Sequence, residues 1–204
     1  MKTLVIVALM LASAGSARAE SAALGREDGP WFVGASVQYI RDGRVGPIQN
    51  FIHDGPTGLG YGLEAGRTLL PWVSLSLTYR LTNLSEEIWT DPGTADFTER
   101  QHRLGARVDV WPLPGRLRMG AALVRTWRRS EMAFNRPPAV YVGRTADNTY
   151  ELHLGVVPVR WRGFELELGG SFSREPSSAD LMEGRLLSTF SIGLGLRWRT
   201  DGSF

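Results

Sequence analysis

The sequence predicts an all-β fold, an eight-stranded antiparallel up-and-down transmembrane β-barrel preceded by a cleaved signal peptide. Three observations carry this. The hydrophobic period is two almost everywhere past residue 30. Short and long connections alternate along the chain. Aromatic residues gather at the two ends of the alternating segments, with aliphatic residues between them.

The first segment that matters is not part of the barrel. MKTLVIVALMLASAGSARA places Lys2 before an apolar run from Leu4 to Ala12 and ends in Ala17-Arg18-Ala19, small residues flanking one arginine. These are the three parts of a secretory signal peptide, cut before Glu20. The run is too short to cross a bilayer as a helix. The expected division is therefore 1–19 signal peptide, 20–30 an N-terminal periplasmic segment, and 31–204 the barrel.

Eight alternating segments follow. Around 31–41, Trp31, Val33, Ala35, Val37 and Tyr39 share one face. Around 58–69, Leu59, Tyr61, Leu63 and Ala65 oppose Gly60, Gly62, Glu64 and Gly66. From Val73, Leu75, Leu77, Tyr79 and Leu81 oppose Ser74, Ser76, Thr78, Arg80 and Thr82. Around 100–111, Leu104, Ala106, Val108 and Val110 oppose Arg103, Gly105, Arg107 and Asp109. Around 117–129, Leu117, Met119, Ala121, Leu123 and Trp127 oppose Arg118, Gly120, Ala122, Thr126 and Arg128. There Val124 and Arg125 fall on the wrong faces. Around 147–159, Tyr150, Leu152, Leu154 and Val156 oppose Glu151, His153 and Gly155. Around 164–173, Phe164, Leu166, Leu168 and Phe172 oppose Glu165, Glu167, Gly169, Ser171 and Ser173. Around 186–200, Phe190, Ile192, Leu194, Leu196 and Trp198 oppose Ser191, Gly193, Gly195, Arg197 and Arg199.

The connections Leu70-Pro71-Trp72, PLPG and RWRG are short. Those at about 42–57, 84–99, 130–146 and 174–185 are long and rich in turn residues, as in DPGTAD and NRPP. With antiparallel hairpins, all short turns lie at one end and all long loops at the other.

Alternation alone does not say which face meets water. A soluble barrel or sandwich turns its apolar face inward; a membrane barrel turns it outward to lipid. The aromatic positions favour lipid. Trp31, Trp72, Trp111, Trp161 and Trp198 lie at the short-turn end, and Tyr39, Tyr79, Trp127, Tyr150 and Phe172 toward the other. Indole and phenol rings, apolar in body and polar at the tip, suit a membrane–water interface. Of this girdle, Trp111 alone has a parity that points inward. The polar face carries Glu64, Arg80, Arg103, Arg107, Asp109, Arg118, Arg128, Glu151, His153, Glu165, Glu167, Arg197 and Arg199. So many charges are costly in a dry core, but in a narrow lumen they can pair. Closure also leaves no strand edge in lipid.

Composition excludes some functions. Removing residues 1–19 takes away Lys2 and Arg18, so 23 basic residues fall to 21, equal to the 21 acidic ones. A neutral chain argues against nucleic acid. There are 0 cysteines, hence no disulfide framework and no thiolate metal site. Glu86, Glu87, Asp91, Asp96 and Glu99 are acidic, but their spacing matches no calcium loop and reads as a solvated loop. Gly60-Tyr61-Gly62-Leu63-Glu64-Ala65 matches a dinucleotide fingerprint formally, without the strand–turn–helix setting it needs. We therefore expect no cofactor and no metal.

On these features, the stretch from about 31 to 200 resembles the small eight-stranded outer-membrane barrels of the OmpA/OmpX type, down to a last strand FSIGLGLRW that ends in an aromatic. The resemblance implies a Gram-negative-type outer membrane, both termini in the periplasm and four loops outside. It also implies contact with outer-membrane lipid and lipopolysaccharide, and with the barrel-assembly machinery during insertion. A C-terminal aromatic is part of the family's assembly signal; Trp198 and Phe204 both qualify. Family enzymes that trim lipid A carry a His-x-Ser pair, but the residues two beyond His53, His102 and His153 are Gly55, Leu104 and Gly155. No catalytic residue is assigned. The expected function is a non-catalytic barrel presenting loops for envelope structure or for a surface or periplasmic protein partner. Phe51, Trp89, Phe97, Met132, Phe134, Tyr141 and Met182 are candidate contacts. A narrow channel is the second reading and a lipid A-modifying enzyme the third. Within the lumen, Asp109–Arg118 and Glu165–Arg197 are the pairs expected to bridge.

Overall fold

A computed structural model describes residues 31–43, 56–70, 72–90, 93–113, 116–135, 138–161, 163–176 and 186–200. Residues 1–19, expected to be a signal peptide, the 20–30 segment, His53, Phe51, Asp91, Met182 and Phe204 lie outside the described residues. Eight strands follow in order: β1 (Trp31–Gly43), β2 (Thr57–Leu70), β3 (Val73–Thr90), β4 (Gly93–Leu113), β5 (Leu117–Asn135), β6 (Pro138–Trp161), β7 (Phe164–Pro176) and β8 (Leu186–Arg199). Each pairs antiparallel with its neighbours, and β1 pairs with β8, so the sheet closes.

The burial pattern shows which way each face points. Leu77, Leu123, Leu152, Leu168, Ile192 and Leu194 are at least half exposed, while Ser74, Arg103, Asp109, Thr126, Glu165 and Arg197 are at most 3% exposed. The apolar face is the outside and the charged face the inside. Trp31 and Tyr39 are eight residue steps apart, and Trp161 and Tyr150 eleven; at about 3.3 Å per step and tilted about 40°, these span roughly 20–28 Å, the height of a membrane barrel's apolar band.

Val124 and Arg125 do not mark a register slip. Val124 is 4% exposed inside the barrel. It fits because Gly105 stands opposite it on β4, where an added Cβ would lie 2.7 Å from the Leu123 carbonyl oxygen and 2.8 Å from Val124 Cγ2. Arg125 faces out and donates from Nη1 to Asn148 Oδ1 at 3.1 Å. The third short turn is set by Gly163, whose φ of 85° favours glycine.

The wall is uneven in height. β3, β4, β5 and β6 have 18, 21, 19 and 24 residues, against 13 or 14 in the other four. Two of the expected long loops, 84–99 and 130–146, are therefore mostly ladder: Leu84 pairs with Glu99 and Thr90 with Gly93, and Ser130 pairs with Gly143 and Asn135 with Pro138. The sequence signal failed there for a physical reason. Above the membrane the outward face meets water and apolar residues such as Leu84, Ala95 and Phe97 turn inward, so the apolar-out alternation is lost while the backbone hydrogen bonds continue. The result is a four-stranded sheet standing well above the upper aromatic belt on one side of the barrel.

Candidate functional site

The lumen is built from inward residues of every strand. At its centre Glu64 on β2 meets three arginines from three strands. Arg107 bonds it directly, Arg118 Nη1 lies at 3.5 Å, and Arg197 donates from Nε at 2.8 Å with its Nη2 also 2.8 Å away. Each arginine has a second carboxylate: Asp109 at 3.1 Å from Arg107, Glu167 at 2.8 Å from Arg118, and Glu165 at 3.3 Å from Arg197. His153 Nε2 reaches Glu167 at 2.8 Å. One layer up, Glu151 accepts both Nη groups of Arg80, at 3.2 and 2.9 Å, and meets Arg103 at 3.3 Å. Higher still, Arg128 stands 3.5 Å from Asp147 and 3.9 Å from Glu99. Glu99 also accepts from Gln101 and from Ser130, each at 2.6 Å.

Such chains of alternating charge are held because each guanidinium has donors for two carboxylates in a rigid plane. Past Lys2 every lysine or arginine position in the chain is an arginine, which suits that use. About 50 Å³ is left around the central group. Glycines at 34, 62, 169, 193 and 195 line the same space, so charged side chains from opposite walls meet across the axis.

No family model matches the chain, and no curated protein sequence matches it. Solved structures do. The chain is similar to the neisserial surface protein A, at 11% identity and a TM-score of 0.55 over 83% of this chain and 97% of that one. It is similar also to Ail, the attachment invasion locus protein of Yersinia pestis, at 11% identity and a TM-score of 0.56 over 84% and 99%. A second Ail structure, in complex with the heparin analogue sucrose octasulfate, superimposes at a TM-score of 0.54, with 12% identity over 84% and 99%. This chain has the fold of the small eight-stranded outer-membrane β-barrels.

All thirteen charged residues assigned to the lumen of this barrel face inward, where they fall into three stacked groups of ion pairs, around Glu64, around Glu151 and around Arg128. Both expected bridges are present, Arg197–Glu165 at 3.3 Å and Arg118–Asp109 as a longer contact at 3.8 Å. Of the aromatic residues assigned to the girdle, Trp72, Trp161, Trp198, Tyr39, Trp127 and Tyr150 are 40–73% exposed on the outer wall. Trp31, Tyr79 and Phe172 are half-buried there; Phe172 packs on Phe190 with centroids 5.0 Å apart.

Trp111 is the correction. It is 4% exposed, inside the lower end of the barrel, with the guanidinia of Arg160, Arg197 and Arg199 5.6–5.7 Å from its ring. With Phe32, whose ring lies 4.5 Å from Arg197, it forms an aromatic floor under the charge network. Its parity, not its height, decides its role. A second correction concerns Glu99, expected in a solvated loop. It is 4% exposed and belongs to the upper lumen. Glu99, Gln101 and Asp147 were missed as lumen residues; Glu99 and Gln101 share the parity of Arg103 and Arg107, which would have found them. Among the described residues no group of acidic and histidine side chains is placed to hold a metal.

Proposed function

We propose that this barrel is a non-catalytic, plugged stand, and that its working part is the tall β3–β6 sheet, which takes up a protein partner on the cell surface at the open edge of β6. One observation carries this reading. Among the described residues, positions 138–146 of β6 are paired only on the β5 side, and β7 joins β6 no higher than Tyr150–Arg174. Along that edge Val140, Tyr141 and Val142 are 62%, 59% and 52% exposed. An apolar strand with unpaired N–H and C=O groups is a template for an added strand. Termini in the periplasm and the tall sheet outside would present this edge to the cell's surroundings. The packed lumen supports the stand over the channel, since an eight-stranded interior is filled by its own side chains. The chain lacks the His-x-Ser pair of the lipid A-trimming enzymes, so nothing favours that chemistry.

The test uses cells producing the full chain and a V140K/V142K variant, whose lysines blunt the edge. Adhesion to a serum-protein-coated surface is expected for the first and lost in the second, with both folded by heat-shifted gel mobility. Purified protein in a planar bilayer is expected to show no single-channel steps. Stable ion conductance, or equal adhesion by the variant, would overturn the proposal.

A further inference from the structure

The outer face of the tall sheet carries an unusual row. On one rung, Arg100 of β4 stands opposite Arg129 of β5, which in turn stands opposite Arg144 of β6. All three side chains are exposed, and none has an ion pair among the described residues. Directly opposed residues on a sheet have Cβ atoms about 4.5–5.5 Å apart, and like charges there repel. A row of three is thus an unfavourable arrangement for the protein alone. The acidic groups nearest on that face are Glu131, one step up β5 from Arg129, and Asp96, two steps up β4 from Arg100. With Glu87 of β3 opposite Asp96 and Arg125 lower on β5, the face carries four positive charges against three negative ones.

What lies beneath the row indicates what covers it. One step down, His102 pairs with Trp127, and His102 Nδ1 is hydrogen-bonded to the Tyr79 hydroxyl at 2.8 Å. These residues belong to the upper aromatic belt, and Arg125 bound to Asn148 sits among them. Below the belt an apolar depression of the outer wall is lined by Leu77, Leu104, Ala106 and Leu123. One wall therefore offers, from the membrane upward, hydrocarbon surface, an interfacial belt and three guanidinia on one rung with no ion pair among the described residues. We propose that Arg100, Arg129 and Arg144 bind the phosphorylated headgroup of an outer-leaflet lipid whose acyl chains lie in the depression below. Arginine matches phosphate with paired, charge-assisted hydrogen bonds. A soluble anion would use the row but leave the depression unused. The inference goes beyond the edge-strand reading and does not depend on it, because it concerns the face of the sheet.

The test places the full chain in phosphatidylcholine nanodiscs and measures retention of added diphosphoryl lipid A against fully dephosphorylated lipid A by native mass spectrometry. The diphosphoryl form is expected to be retained preferentially. R100Q/R129Q/R144Q should weaken that retention on the order of a hundredfold, at roughly one interfacial charge's worth per arginine. R174Q, an exposed arginine on the outer face of β7 away from the row, should leave it unchanged. R129Q alone, which removes the central member, is read in place of the triple variant if that one fails to show heat-shifted mobility. Equal retention of both lipid forms, equal retention by the row variant, or displacement of the lipid by inorganic phosphate or sucrose octasulfate at comparable concentrations would overturn the proposal.

Discussion

Glu64 and Glu151 hold the same kind of cluster with different redundancy, and the difference predicts different costs. Glu64→Gln keeps the shape but turns an acceptor for three arginines into an amide. Removing one partner of a buried ion pair typically costs about 3–5 kcal/mol. Here Arg107, Arg118 and Arg197 keep Asp109, Glu167 and Glu165 at 3.1, 2.8 and 3.3 Å. The loss should therefore fall at about 2–3 kcal/mol, below that range. Glu151→Gln is harsher. Both Nη groups of Arg80 end on Glu151, and among the described residues Arg80 meets no other carboxylate. That variant should lose about 3–5 kcal/mol. The assay is urea unfolding from phospholipid vesicles, followed by tryptophan emission and gel mobility. Because buried pairs are poorly screened, the ordering should survive about 1 M NaCl. If both variants lie within about 0.5 kcal/mol of the parent, the lumen is hydrated rather than packed, and a channel becomes the better reading.

Two further outcomes follow from the interior. Trp111→Ala should cost about 3–5 kcal/mol, the usual loss for a buried aromatic. It should leave emission quenchable by brominated lipid unchanged, whereas Trp127→Ala should reduce it; a fall in the quenchable fraction on losing Trp111 would return that residue to the girdle. Gly105→Val should destabilise by about 1–3 kcal/mol through overpacking. Val124→Ala should restore only part of it, because the Leu123 carbonyl oxygen at 2.7 Å cannot withdraw; full recovery in urea unfolding would show that the side chain alone sets the limit.

These outcomes also mark where the sequence was legible. Inside the bilayer the two faces of a strand meet different media, so Leu77 beside Ser76, or Leu194 beside Gly193, states the orientation directly. Charge follows the same parity, which is why the lumen set could be assigned from sequence, and why Arg197–Glu165 could be paired from strand adjacency alone. Height was less reliable than parity. Trp111 stands level with the lower belt yet points to the axis, and only its position in the alternation says so.

Above the membrane the apolar face no longer points outward, since Leu84, Ala95 and Phe97 are buried inside, and the lipid-facing signature of a strand is lost. Positions 84–90 and 138–146 carry mixed polar and apolar residues on both faces, so their ladder was invisible until strand pairing was known. The arginine row was hidden for a stronger reason. Arg100, Arg129 and Arg144 are 29 and 15 residues apart along the chain and share nothing except a rung. Cross-strand register is a property of the closed sheet, fixed at the membrane by the inward and outward faces and carried upward rigidly by hydrogen bonds. The barrel thus does for its outer surface what a single strand cannot. It brings three scattered charges onto one rung, against their mutual repulsion, because the register of the closed sheet holds them there.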